Sequence, residues 1–307
     1  MVLDQLTENH SDYFACIRYH VNWPSENDPF YLYNPAENGN RTGYYSVSGV
    51  PHMQVDGVVD AGGSSSYWSV IQSRYAIDSP LDIELSGTYN ESSRLGTLNV
   101  TVTATDDITL EGLFLRIALV ESDIYWHAPN GAYWHHQTMR HMFPYSLGTR
   151  IYISEEGEVI QRSEAISCPD PIVPENSELI VFVQAHGSRD ILQAARIPIA
   201  DLTPVSVDET GNSLPLKFEL AQNYPNPFNA NTTISYTLTN DGQISLAVYD
   251  LAGRKVANLF NGNQSAGNYQ IVWDGTDNSG QVASSGIYFY RLIANGQSST
   301  RRMMLLK

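Results

Sequence analysis

NYQIVWDGTDNSGQVASSGIYFYRLIANGQSSTRRMMLLK, residues 268–307, decides the fold. Short runs of alternating apolar and polar residues are interrupted by Asp274-Gly275 and Asn295-Gly296, steps that supply the positive φ angles of tight hairpin turns. The same rhythm extends upstream. An alternating run at 232–238 is followed by a turn at Asn240-Asp241-Gly242, a run at 244–249, a turn at 250–253 and a run at 255–259. Turn signals every eight to twelve or so residues between period-2 runs predict a small antiparallel β-sandwich over 218–307.

The 307 residues before and within this stretch are enough for two or three domains. A net charge of −16 argues against a nucleic-acid partner, because phosphate binding needs a basic face. Nineteen tyrosines, with Thr, Ser, Asn and Gly plentiful, suit sheets better than helical bundles. No run approaches the eighteen or so apolar residues of a membrane helix.

In chain order, helical spacing marks the first residues, and 14–21 (FACIRYHV) reads as a buried strand. A Pro- and Asn-rich loop is expected over 22–40, then a short helix or extended piece at 41–47. A strand at 49–57 is entered through Pro51 and left through Asp56-Gly57. Residues 67–75 (YWSVIQSRY) form an amphipathic helix with Trp68, Ile71 and Tyr75 on one face. Strands follow at 81–89, 95–104, 110–121, 159–162, 179–184 and 194–199. Leu98, Val100, Val102 and Ala104 alternate with Asn99, Thr101 and Thr103, the period of a half-buried strand. Residues 201–217, polar and Pro-containing, read as a linker. The fold class is mainly β with a small α/β part.

Asn223-Tyr224-Pro225-Asn226-Pro227-Phe228-Asn229, the turn ending at Gly253, Trp273-Asp274-Gly275, Gly286, Tyr288 and the basic-apolar tail 301–307 occur in fixed order at the chain terminus. In this the C-terminal stretch resembles the type A sorting domain of type IX secretion, a relative of the FlgD-type Ig-like domain. The resemblance implies an exported bacterial protein, secreted or attached to the outer-membrane surface. It implies the secretion machinery as partner, and removal of the domain or attachment to surface lipopolysaccharide after export. The helix, the strand with Ile17 to His20, Arg41, Tyr44-Tyr45 and Gly49-Val50-Pro51 resemble the thioredoxin-like head of the outer membrane protein twenty-eight related family. Val50-Pro51 would then stand where that fold has its cis-proline. The expected domains are a truncated thioredoxin-like segment at 1–76, a β-sandwich at 77–200, the linker at 201–217 and the Ig-like sorting sandwich at 218–307. The loop at 140–148 (RHMFPYSLG) resembles the central loop of the same family's β-domain.

The family's Cys-x-x-Cys opens the first helix, and this chain lacks it. Residues 1–6 also carry neither a basic nor an apolar signal region. Together these predict a chain that has lost its beginning. As given it reads as a non-catalytic surface protein with no cofactor. The alternative is an extracytoplasmic thiol–disulfide oxidoreductase whose cysteine pair lies upstream of Met1.

Few other residues suggest chemistry. Cys16 is expected to be a structural thiol in its strand, and Cys168, before Pro169, an exposed loop residue; neither has a resolving partner nearby. His127, His135, His136 and His141 cluster among Trp126, Tyr133, Trp134 and Tyr145. They are weak candidates for zinc or copper, since the spacing fits no standard ligand set. A packed aromatic hairpin, or an aromatic surface for a peptide or glycan, is the other reading. The loop 274–280 has aspartates but lacks the alternation and terminal Glu of a calcium loop, so it reads as a β-turn.

Overall fold

The computed structural model describes residues 2–23, 26–204, 218–223, 226–229, 231–264, 267–278 and 281–306. The chain divides into two compact units, 1–211 and 212–307. The segments 1–76 and 77–200, expected as separate domains, both fall in the first unit.

Among the described residues, seven longer strands build the first unit. They are β1 (Leu81–Asn90), β2 (Leu95–Ala104), β3 (Leu113–Glu121), β4 (Thr138–Phe143), β5 (Val159–Ser167), β6 (Ser177–Ala185) and β7 (Ile191–Pro198). One sheet has the order β5-β2-β1, extended by a parallel pairing of 203–204 with Thr88 and Tyr89; the other has the order β7-β6-β3-β4. Leu98, Val100 and Val102 on β2 face Leu115, Ile117 and Leu119 on β3 and Leu179, Val181 and Val183 on β6 within one core. Burial of these apolar side chains is the main favourable term for this unit.

β3 and β6 are buried on both faces. Their near-continuous apolar sequences, LFLRIALVE and SELIVFVQA, belong to strands that are covered above and below. On the outer face Ala118, Val120, Ile180 and Phe182 join Met139 and Met142 of β4 in a second cluster, with Ala15, Ile17 and Tyr19 packed against it. The N-terminal segment therefore lies across the outside of this sheet. Residues 14–21 are half-buried and extended, with one bridge, Arg18 to Thr138, rather than a buried strand.

Among the described residues, four α-helices and two short 3-10 turns complete the unit; the α-helices are α1 (Val2–Asn9), α2 (Pro29–Tyr33), α3 (Pro35–Tyr44) and α4 (Tyr67–Tyr75). The last has the expected span. The loop reading of 22–40 is corrected by α2 and α3, and the local chemistry explains why. Asp28 accepts hydrogen bonds from Phe30 N and Tyr31 N with Pro29 in the first turn, and Asn34 caps Glu37 N ahead of Pro35. Proline at the first helical position after an Asp or Asn cap starts a helix rather than prolonging a loop. The expected strand at 49–57 shrinks to Gln54–Val55, paired with Val59–Asp60 around Asp56-Gly57, both at positive φ. Among the described residues before 77, that hairpin and the Arg18 bridge are the strand pairings present. The loop reading of 140–148 is also corrected: 138–143 is β4. Arg140 is buried in that strand, with Glu121 of the neighbouring β3 3.1 Å away.

The second unit has β8 (Thr232–Leu238), β9 (Gly242–Tyr249), β10 (Lys255–Gln264), β11 (Gly267–Trp273), β12 (Gly286–Ala294) and β13 (Gln297–Leu305). Residues 219–220, β8 and β11 form one antiparallel sheet, and β10-β9-β12-β13 the other. Ile234, Leu246, Val248, Trp273, Tyr290, Leu292, Met303 and Leu305 fill the core. This is the sandwich that the alternation over 232–305 predicts. Of the expected linker, 205–217 lies outside the described residues.

Candidate functional site

Motif residues separated by up to about eighty positions meet at the last two strands of the second unit. Asn223 is buried; its backbone N donates to Tyr290 Oη at 2.8 Å and its Nδ2 to Thr232 Oγ1 at 2.9 Å. Tyr290 Oη in turn donates to Ala221 O at 2.7 Å, so the segment entering the unit is fixed to β12 by one phenol. Asn226 Oδ1 accepts from Met304 N at 2.9 Å. Phe228 N donates to Met304 O at 3.0 Å and Leu306 N donates back to Phe228 O at 2.8 Å. The entering segment thereby satisfies backbone groups at the end of the edge strand β13, groups that would otherwise be open to pairing with another chain.

Side chains reinforce the closure. The buried Phe228 ring lies 5.6 Å from Trp273, and Trp273 lies edge-on to Tyr288 at 5.3 Å. Trp273 Nε1 donates to Thr276 O at 2.8 Å, and Tyr288 Oη to Ser284 O at 2.7 Å. Each buried aromatic with a polar tip therefore has a partner for it. Gly286 opens β12 opposite Leu305. Asn226–Pro227 is a cis peptide, and Asn229 O accepts from Asn231 N. Tyr224 and Pro225 lie outside the described residues.

The turns carry the remaining motif positions. Asp274 Oδ1 accepts from Thr276 Oγ1 at 2.6 Å and Thr276 N at 3.0 Å, which holds its carboxyl below the usual range. Gly275 follows at φ 73°. Asp277 accepts from Gln281 N, so both aspartates serve their own turn. Gly253 stands apart, at φ 79°, in a turn where Asp250 accepts from Arg254 N and Ala252 N. Exposed Arg301, Arg302 and Met304 flank the closure. The arrangement presents turns, edge backbone and basic side chains, the elements of recognition by another protein.

The first unit disperses the other candidates. His141 Nδ1 lies 3.0 Å from Glu37, His136 Nδ1 3.2 Å from Asp123, and His135 Nε2 donates to Trp126 O at 3.1 Å. His127 stacks on Tyr133 at 4.5 Å with planes 1° apart. The four imidazoles thus go to four different partners, and no group of three metal-binding side chains exists among the described residues. Residues 124–125 and 134–135 pair as a small hairpin that exposes Tyr125, Tyr133 and Trp134. Cys168 is buried rather than exposed, and burial pushes its thiol up to about 11. Cys16 is half-buried, and desolvation there pushes its thiol up as well; both cysteines are free. Thiols held protonated in this way are poor nucleophiles. Pro51 is exposed, and the Val50–Pro51 peptide is cis.

The second unit is an Ig-like sandwich within a mainly β chain. A family model described as the FlgD Ig-like domain matches residues 228–298, which places that unit in the FlgD Ig-like class. No curated protein matches the chain. Among solved structures, HBP35 of Porphyromonas gingivalis has a TM-score of 0.53 at 15% identity, covering 92% of this chain and 84% of that one. A domain of the outer membrane lipoprotein Omp28 from P. gingivalis gives 0.29 at 11% identity, covering 42% of this chain and 93% of that one. FlgD from P. aeruginosa gives 0.21 at 27% identity, covering 24% and 58%. The first likeness shows a shared fold.

Proposed function

We propose that this is an exported bacterial protein, secreted or held at the outer-membrane surface, whose second unit is the handle read by the type IX secretion machinery. The observation that supports this reading is the convergence of Asn226, Phe228, Gly286 and Tyr288 on the closing strand β13, with Asn223 tied to the neighbouring β12 and Trp273 packed between Phe228 and Tyr288. Sequence blocks with no shared chemistry have a common purpose if they hold one surface in shape. A machine that handles unrelated cargo must read a feature of the handle alone, and backbone-defined turns and a strand edge provide one. In this reading the first unit is cargo with a binding or structural role, and attachment to surface lipopolysaccharide follows export.

The test fuses residues 218–307 to a fluorescent protein that is delivered to the periplasm of a type IX-competent bacterium. Fluorescence should reach the cell surface or medium, and should stay in the periplasm when the secretion system is disrupted. Retention in both strains would remove the reading. Attachment is examined by electrophoresis: lipopolysaccharide linkage gives a ladder of heavier species that is absent from a strain lacking the polysaccharide.

A further inference from the structure

The covered outer face of the first unit holds two arginines without counter-charges. Arg116, on β3, and Arg41, on α3, are 1% and 3% exposed. Arg116 Nε donates to Leu147 O at 2.9 Å, its Nη1 donates to Gln184 Oε1, and its Nη2 donates to His186 Nδ1 at 3.2 Å. Arg41 Nη2 donates to the same Gln184 oxygen and to Tyr45 Oη, each at 3.2 Å, while its Nε is buried without an acceptor. A third guanidinium, that of half-buried Arg189, joins them. Arg41, Arg116 and Arg189 lie 5.0, 5.2 and 5.6 Å from the centre of one ring, Tyr44.

Every acceptor in this cluster is neutral. The arginines that do form ion pairs among the described residues are Arg18, Arg74, Arg94, Arg140, Arg196 and Arg254. A buried charge is normally matched by an opposite one, and a guanidinium cannot escape by losing its proton. Burial and the neighbouring Arg41 bring Arg116 down only to about 10, so it stays charged at neutral pH. His186 cannot supply negative charge, and burial and the two guanidiniums push it to about 4, so it is neutral. Carboxylates are not scarce in a chain with 33 Asp and Glu against 17 Lys and Arg. Cation–π contact with Tyr44 offsets part of the cost but adds no negative charge.

The cluster is also closely built. A Cβ on Gly148 would collide with Leu115 O and Arg116 Cγ, and one on Gly57 with Arg189 O. Its border with solvent is formed by Tyr44, His186 and Arg189, all half-buried.

We propose that Arg41, Arg116 and Arg189 form a binding site for a small oxyanion group, a carboxylate, sulfate or phosphate, entering at the Tyr44–His186–Arg189 rim. Guanidinium forks match the paired oxygens of such groups, and the ligand supplies the charge that the fold omits. The site belongs to the first unit and does not depend on how the protein is exported.

The full chain is melted and titrated calorimetrically at fixed pH and ionic strength, with chloride replaced by phosphate, sulfate or acetate. A site predicts a saturable rise of about 2–4 °C with at least one oxyanion. Arg189→Gln, at the rim, should keep the chloride melting temperature and lose the rise. Arg116→Lys, retaining charge but not the fork, should weaken binding about tenfold or more. Glucose 6-phosphate and glucuronate then separate the sources: tighter binding than inorganic phosphate or acetate identifies the end group of a sugar, and equal binding identifies the free ion. If no oxyanion exceeds matched chloride, or the rise survives unchanged in Arg189→Gln, the cluster is a closed cation–π core and the proposal is wrong.

Discussion

Arg140 and Glu121 lie 3.1 Å apart on adjacent strands, with side chains 7% and 5% exposed, and Arg140 also lies 4.0 Å over Tyr33. Their contact is an ion pair without the alignment of a hydrogen bond, and burial pushes the Glu121 carboxyl upward even though Val173 N and Arg140 oppose it. Removing one partner strands the other. Arg140→Met should destabilise the first unit by about 3–5 kcal/mol, while the double variant with Glu121→Gln should recover most of that loss. Urea titrations of the three proteins measure it. His141 gives a pH dependence. Desolvation alone would lower its pKa, but the charge of Glu37 and their hydrogen bond raise it above 6.5. The folded state therefore holds the proton more tightly than the unfolded chain. This stabilisation is complete below about pH 6.5 and is lost as pH rises through the raised value. Unfolding free energies measured between about pH 5.5 and 9 should show that fall, and His141→Gln should lack it. A flat difference between the two proteins would contradict the pairing.

Elements that share a sheet depend on their coverings. Ile180, Phe182, Met139 and Met142 face outward from the β7-β6-β3-β4 sheet and meet Ala15, Ile17 and Tyr19. Deleting residues 2–21 should leave this apolar face open, so that the protein binds a hydrophobic dye and loses cooperativity in its thermal unfolding. In the second unit Phe228 joins the entering segment to β13. Phe228→Ala removes a fully buried ring beside Trp273 and should cost about 3–5 kcal/mol, visible as a lower urea midpoint for residues 218–307. The span of helix α4 was legible, although of its expected face Ile71 is buried, Trp68 half-buried and Tyr75 exposed; β2 was legible from its alternation, and β3 and β6 from their apolar runs. Helices α2 and α3 were hidden in a stretch rich in Pro and Asn, residues that mark a loop and a capped helix start alike. Strand β4 fell within a stretch read as a loop by family resemblance, and its Arg140 and His141 gave no sign of the partners, Glu121 and Glu37, that the fold supplies.

At the scale of the molecule each unit has its own core, one centred on Leu98, Leu119 and Val181 and the other on Trp273, Tyr290 and Met303. Residues 1–204 and 218–307 expressed separately should therefore each give cooperative thermal unfolding monitored by circular dichroism. A fragment without a transition would show that its core is incomplete. What the sequence determined by itself was local: period-2 runs, Asp-Gly and Asn-Gly turns, among them the turn at Asp56-Gly57, and the C-terminal sandwich expected over 218–307. The motif residues 223–229 and 273–275 could be picked out from sequence, but the docking of Asn226 and Phe228 on the end of β13, with Trp273 against the Phe228 ring, could not. Tertiary structure alone decided the partners of charged and polar groups. Arg116, Gln184 and Arg41 come together only because β3 pairs with β6 in one register, Phe182 opposite Arg116, while α3 crosses their outer face. Four histidines within fifteen residues of sequence were likewise dispersed to separate partners. Backbone periodicity is set by neighbours a few residues away, whereas the fate of a buried charge is set by whatever the fold brings within a few ångströms of it.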